Sequence, residues 1–146
     1  MDATHTHLIL NHIPILGTLF GLCLLLVGIV KNKSQITNAG LTTFVIVAIL
    51  TVPVFLTGEG SEESVEQVSG VSEHFIELHE DLAKVALWLA ISLGILSVIT
   101  LALSTIKSRN NHRLKLAILV LSFISFGVMT VVGNYGGKIR HSEIRS

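Results

Sequence analysis

The residues best suited to chemistry in this chain are its histidines and a run of acids. Imidazole is a proton donor, a proton acceptor and a common metal ligand near neutral pH. His79 stands out because of its neighbours. If a helix capped by Ser72 runs on through position 82, one stripe reads Phe75, His79, Leu82, Ala86, Leu89 and Leu93. The steps of three and four place His79 on the apolar face that turns towards other helices. A histidine there needs a carbonyl, a carboxylate or a metal as partner. His12 is the second case. It lies in Asn11–His12–Ile13–Pro14, a few residues into an apolar run, where polar side chains are costly and often functional. His12 and His79 are therefore the expected pair of axial ligands for a b-type haem, a group that commonly takes histidine ligation.

A wider set is suited to a divalent metal such as zinc or iron. His7, His12, His79 and His141 supply imidazoles, and Glu59, Glu63 and Glu66 supply carboxylates. Glu59 and Glu63, and Glu62 and Glu66, stand four apart. Like charges at that spacing repel unless a cation lies between them. Arg140, with Lys138 and His141, is the expected basic partner, so Arg140 is assigned structural ion pairing. No HExxH or ExxH signature selects a metal. The plain alternative is that an acidic loop is solvated and its histidines bond to carbonyls. His112 sits among basic residues and reads as solvated. No Ser-His-Asp or Cys-His arrangement points to a hydrolase, and no catalytic residue is assigned.

These residues must be positioned by apolar elements. Half of the 146 residues are hydrophobic and only 14% are charged. The mean hydropathy is +0.72. A soluble domain carries about 25% charged residues. Four apolar runs, at about 8–30, 39–57, 82–106 and 116–134, are each near the roughly 20 residues that cross a bilayer core. Helices satisfy their own backbone groups in lipid, so an all-α membrane four-helix bundle is expected, forming a single domain over 1–146. No Lys or Arg precedes the first run, so it is expected to stay as a span rather than act as a cleaved leader. Gly17, Gly21 and Gly28 mark a face for close helix approach. Pro14 and Pro53 are expected to loosen backbone bonding at one end of the bundle. The lone cysteine, Cys23, is expected to be a small buried hydrophobe and excludes disulfide or CxxC chemistry within the chain.

Charge sets the expected sidedness. Lys31, Lys33, Lys107, Arg109, Arg113 and Lys115 fall in the two loops on one side. All ten acids fall on the other side with four cations, giving +6 against −6. Basic loops stay cytoplasmic. Both termini and the acidic loop 58–81 are then on the outer, periplasmic side of a bacterial inner membrane. Six of the seven histidines share that acidic face.

The ordered segments HLILNHIPILG, TGEGSEESVE, IELHE and GGKIRHSEI resemble the DUF2231-like family of small four-helix bacterial membrane proteins, in a Bacteroidetes-type branch. The resemblance covers nearly the whole chain. It implies importance for His7, His12, Glu59, Glu63, Glu66, His79, Arg140 and His141, and leaves His74 aside. Relatives fused to cytochrome c-like domains imply a redox setting.

Three readings follow. The first is a redox-associated haem protein, partnered by a cytochrome or another membrane redox subunit. The second is a divalent-metal protein. The third is a non-catalytic accessory subunit whose polar cap is purely internal. The lipid bilayer is the partner common to all three, and nothing in the sequence points to nucleic acid. Transport is disfavoured, because the inner halves of the spans hold no ionisable residue.

Overall fold

In the computed structural model, residues 3–60, 71–107 and 111–140 are described, with side chains over 7–60, 71–105 and 111–139. These residues are helical apart from short connections. The helices are α1 (Ala3–Leu10), α2 (His12–Val30), α3 (Ser34–Glu59), α4 (Glu73–Lys107) and α5 (His112–Arg140). Four stretches are long and apolar enough to cross a membrane: His7–Val30, Ser34–Glu59, Glu73–Thr105 and His112–Ile139. Most extend a turn or more beyond the apolar run visible in the sequence. Polar helix ends carry no hydropathy signal, although their backbone continues the same hydrogen-bond ladder.

The first span loses one backbone hydrogen bond where the sequence allows it, while Asn11 keeps helical dihedrals (φ −60°, ψ −22°). Pro14 has no N–H to offer the carbonyl of Leu10. Accordingly α1 ends at Leu10, and α2 begins after Asn11. Pro53, by contrast, is carried within a continuous α3. The turn between α2 and α3 closes as a Schellman motif. Asn32 has φ 50°. Its N–H reaches the carbonyl of Ile29 at 3.2 Å, and that of Lys33 reaches Gly28 at 2.8 Å. At the opposite end, the N–H groups of Phe75 and Ile76 bond to the carbonyl of Ser72, so α4 starts where the capping residue predicts.

The helices pack in sequence order, α2 on α3, α3 on α4 and α4 on α5, and α2 against α5 closes the ring. Glycines set the tightest approaches. A Cβ on Gly28 would lie 2.5 Å from the backbone nitrogen of Thr37, and one on Gly40 would lie 2.7 Å from that of Leu25. Gly21 receives the ring of Phe44, as the sequence predicts for a close-approach face.

The interior is rich in small polar groups. Thr18, Thr37, Thr51, Ser97, Thr100, Ser122 and Ser125 are buried beside Leu25, Leu41, Phe44, Leu93 and Ile118. Most of these hydroxyls donate to their own helix's carbonyls, as Ser97 does to Leu93 at 2.7 Å, so burial leaves them satisfied. Thr18 donates instead to the sulfur of Met129 at 3.3 Å, linking α2 to α5. The outward surface is apolar, with Ile49 65% and Trp88 67% exposed. A bundle that buries hydroxyls and shows Ile and Trp to its surroundings is arranged for lipid. Cys23 is also exposed, contrary to its expected burial. Burial on α2 falls at Pro14, Thr18, Gly21, Leu22, Leu25 and Gly28, and position 23 lies off that stripe.

Candidate functional site

The chemistry-bearing residues gather where α1, the end of α3, the start of α4 and the end of α5 meet. His7 and His79 face each other there, half-buried, with ring centres 6.5 Å apart and planes at 89°. Each ring is anchored by the same device. His7 Nδ1 donates to the carbonyl of Val54 on α3 at 3.0 Å. His79 Nδ1 donates to the carbonyl of Val132 on α5 at 2.9 Å. A carbonyl only accepts, so Nδ1 carries the proton in both rings. In the neutral imidazole Nε2 is then left with a free lone pair. Metal-binding histidines are oriented by this kind of backbone bond.

Glycine makes the anchoring possible. Gly58 is four residues after Val54, and Gly136 is four after Val132. A Cβ on Gly58 would stand 3.1 Å from Cε1 and 3.3 Å from Nδ1 of His7. A Cβ on Gly136 would stand at the same two distances from Cε1 and Nδ1 of His79. Each ring thus lies on bare helix backbone. One turn after His7, the side-chain oxygen of Asn11 is buried with no hydrogen-bond partner among the described residues.

The expected ligands divide. His79 lies on the packed stripe, as its spacing predicts. That stripe runs through Ile76, Ala86, Ala90 and Leu93, with Leu89 only half-buried. His12 does not join it. His12 is exposed, and His7 is the histidine that meets His79. Five residues separate His7 from His12, about 140° around a helix of 3.6 residues per turn. The helix therefore turns only one of them inward. Glu59 is exposed at the end of α3. Glu63, Glu66 and His141, and the side chain of Arg140, lie outside the described residues. Among the described residues, no three His, Cys, Asp or Glu side chains come together as a metal-holding group.

The surrounding surface is ordered by aromatic and ionic contacts. Phe75 and Tyr135 stack obliquely at 6.0 Å, and the ammonium of Lys138 lies 5.8 Å from the Phe75 ring centre. His74 is exposed beside Phe75. Lys84 pairs with Glu80 at 2.6 Å, the four-residue spacing visible in the sequence, and with Asp81 at 3.8 Å. Lys84 and Asp81 are exposed and Glu80 is half-buried, so these solvent-screened pairs contribute little to stability.

The glycine cradles were not anticipated from the sequence. Their signal is Val-x3-Gly near the end of the second and fourth spans, which becomes meaningful only once a histidine is known to lie against each.

Neither protein-family models, nor curated proteins, nor solved structures match this chain. The family resemblance therefore rests on the four sequence motifs alone.

Proposed function

We propose that this chain is a redox-associated, multi-pass protein of the bacterial inner membrane that holds a b-type haem through Nε2 of His7 and His79. The observation that carries this reading is the pair of facing imidazoles with both Nδ1 atoms committed to helix carbonyls. A haem iron needs only one or two protein ligands, because the macrocycle supplies the other four. A structural zinc site needs four ligands and a catalytic one three, and the described residues hold no such group. His7 and His79, with ring centres 6.5 Å apart, are the residues that would hold the haem.

Bound haem supplies one-electron chemistry. The chain's own residues hold and orient. Val54 and Val132 fix the tautomers, and Gly58 and Gly136 let the rings reach them. The charge asymmetry favours basic loops in the cytoplasm. The histidine pair, both termini and the acidic loop are then periplasmic, where a cytochrome or another membrane redox subunit has access. The DUF2231-like motifs fit the same redox setting.

A second reading has its own support. Each imidazole already joins the first helix of a hairpin to the second through its Nδ1 bond. An accessory subunit using His7 and His79 only as clasps needs no ligand.

A visible spectrum of the detergent-purified protein, oxidised and then dithionite-reduced, with metal analysis on the same sample, separates these readings. A Soret band with sharp reduced α and β bands is expected. Protein that stays colourless after incubation with haemin overturns the haem reading. Stoichiometric zinc or iron without those bands points to the divalent-metal site completed by acidic-loop residues, and neither leaves the clasp.

A further inference from the structure

The matched anchoring of His7 and His79 belongs to a larger pattern. Six residues of α2 are buried: Pro14, Thr18, Gly21, Leu22, Leu25 and Gly28. Adding 72 to each number gives Ala86, Ala90, Leu93, Gly94, Ser97 and Thr100, which are all buried on α4. The same offset carries His7 onto His79. On the second helix of each hairpin the offset is 78. It carries Gly40, Phe44, Val47 and Thr51, all buried on α3, onto Ile118, Ser122, Ser125 and Met129, the buried set of α5. It also carries Val54 onto Val132 and Gly58 onto Gly136. The change from 72 to 78 is absorbed mainly in α4, which runs seven residues past Thr100 to Lys107 where α2 runs two past Gly28 to Val30, with one more residue in the connection that follows.

Side-chain identity is scarcely shared between these positions. Proline matches alanine, and phenylalanine matches serine. What repeats is burial register, plus three functional positions: the histidine, the carbonyl that holds it and the glycine that admits it. A seven-residue packing rhythm alone would repeat burial on any bundle helix. It would not reproduce a histidine, a carbonyl partner and a glycine at matching distances in both halves.

We infer that the bundle is an internal two-fold repeat of helical hairpins, 7–58 and 79–136, with the histidine site at the junction of the halves and Gly58 and Gly136 as its positioning residues. This rests on the proposed site for its ligand, but not for its geometry. A ligand there would meet two equivalently anchored imidazoles, each with the Nε2 lone pair left over by its Nδ1 bond. The glycines act through the histidines. A methyl group at either one makes the nearby ring give by a few tenths of an ångström, which lengthens or bends its bond to the carbonyl and weakens the hold on its tautomer.

The test reads the rings directly, in ligand-free, full-length protein labelled with 15N-histidine. In the unaltered protein, His7 and His79, assigned by His7→Gln and His79→Gln, are both expected to carry the proton on Nδ1 and none on Nε2. Gly58→Ala is expected to shift the His7 nitrogen signals alone. Gly136→Ala is expected to shift those of His79 alone. Gly127→Ala, where an added Cβ meets nothing within 4 Å, is the control and should shift neither. An Nε2 proton on either ring of the unaltered protein overturns the inference. So do glycine variants that leave both rings unmoved. The tautomers of the unaltered protein remain decisive even if a glycine variant fails to fold. If the rings behave as expected and haemin still gives no pigment, the haem reading falls while the repeat and its cradles stand.

Discussion

His7 and His79 come from residues 72 apart in the sequence, yet their rings meet nearly perpendicular, with centres 6.5 Å apart. Each is tied back to its own hairpin, to Val54 and to Val132. The contact therefore joins the two halves of the bundle at one end and leaves one nitrogen of each ring available.

The first prediction concerns ligand binding. His7→Ala and His79→Ala should each abolish haem retention, read as loss of the Soret band. His12→Ala, His74→Ala and His112→Ala should retain it, because all three side chains are exposed. Retained haem in both of the first two variants would discard the proposed ligands.

The second concerns the α2–α3 crossing. A Cβ on Gly40 would stand 2.7 Å from the backbone nitrogen of Leu25 and 2.9 Å from the carbonyl of Gly21. Backbone cannot swing aside as a side chain does. Gly40→Ala should therefore cost about 1–3 kcal/mol, the usual range for overpacking. Gly127→Ala, in open space, should be neutral or stabilising by up to about 1 kcal/mol, because alanine is the better helix former. Unfolding in mixed micelles with increasing SDS measures both. Equal stability of the two variants would contradict the crossing.

The third concerns the turn at Asn32. Its φ of 50° suits asparagine and glycine and penalises β-branched residues. In the same unfolding assay, Asn32→Gly should be nearly neutral, and Asn32→Val should cost about 1–2 kcal/mol. An Asn32→Val variant as stable as the parent would argue against the Schellman turn.

The fourth concerns sidedness. In a Cys23→Ser background, Gly60→Cys should react with a membrane-impermeant maleimide in intact spheroplasts. Ser34→Cys should react only after lysis. The reverse pattern would place the histidine pair on the cytoplasmic side.

Hydropathy alone made four helices legible, because a run of about 20 apolar residues has few alternatives to a membrane helix. The inward turn of His79 was also legible, since α4 is a long continuous helix and its spacing fixes its face. The Glu80–Lys84 pair followed from the same regularity. His7 was harder to place. It precedes the apolar run and belongs to α1, on the far side of the α1–α2 join at Asn11. Hydropathy favoured His12, whose neighbours are more hydrophobic, although the helix turns it outward. Cys23 illustrates a second limit. In a lipid-facing helix the outward residues are as apolar as the inward ones, so hydropathy does not say which face is buried.

The sequence by itself determined the number of helices, their approximate extents and the collection of acids and histidines at one end. These depend on local composition and on backbone hydrogen bonds that each helix satisfies internally. Tertiary structure decided which histidine faces His79, which carbonyls hold the two rings and why Gly58 and Gly136 stand where they do. Those facts depend on the rotation of each helix about its axis. In lipid that rotation is set by close packing of glycine and small hydroxyl residues across several helices at once, a relationship that no single segment contains.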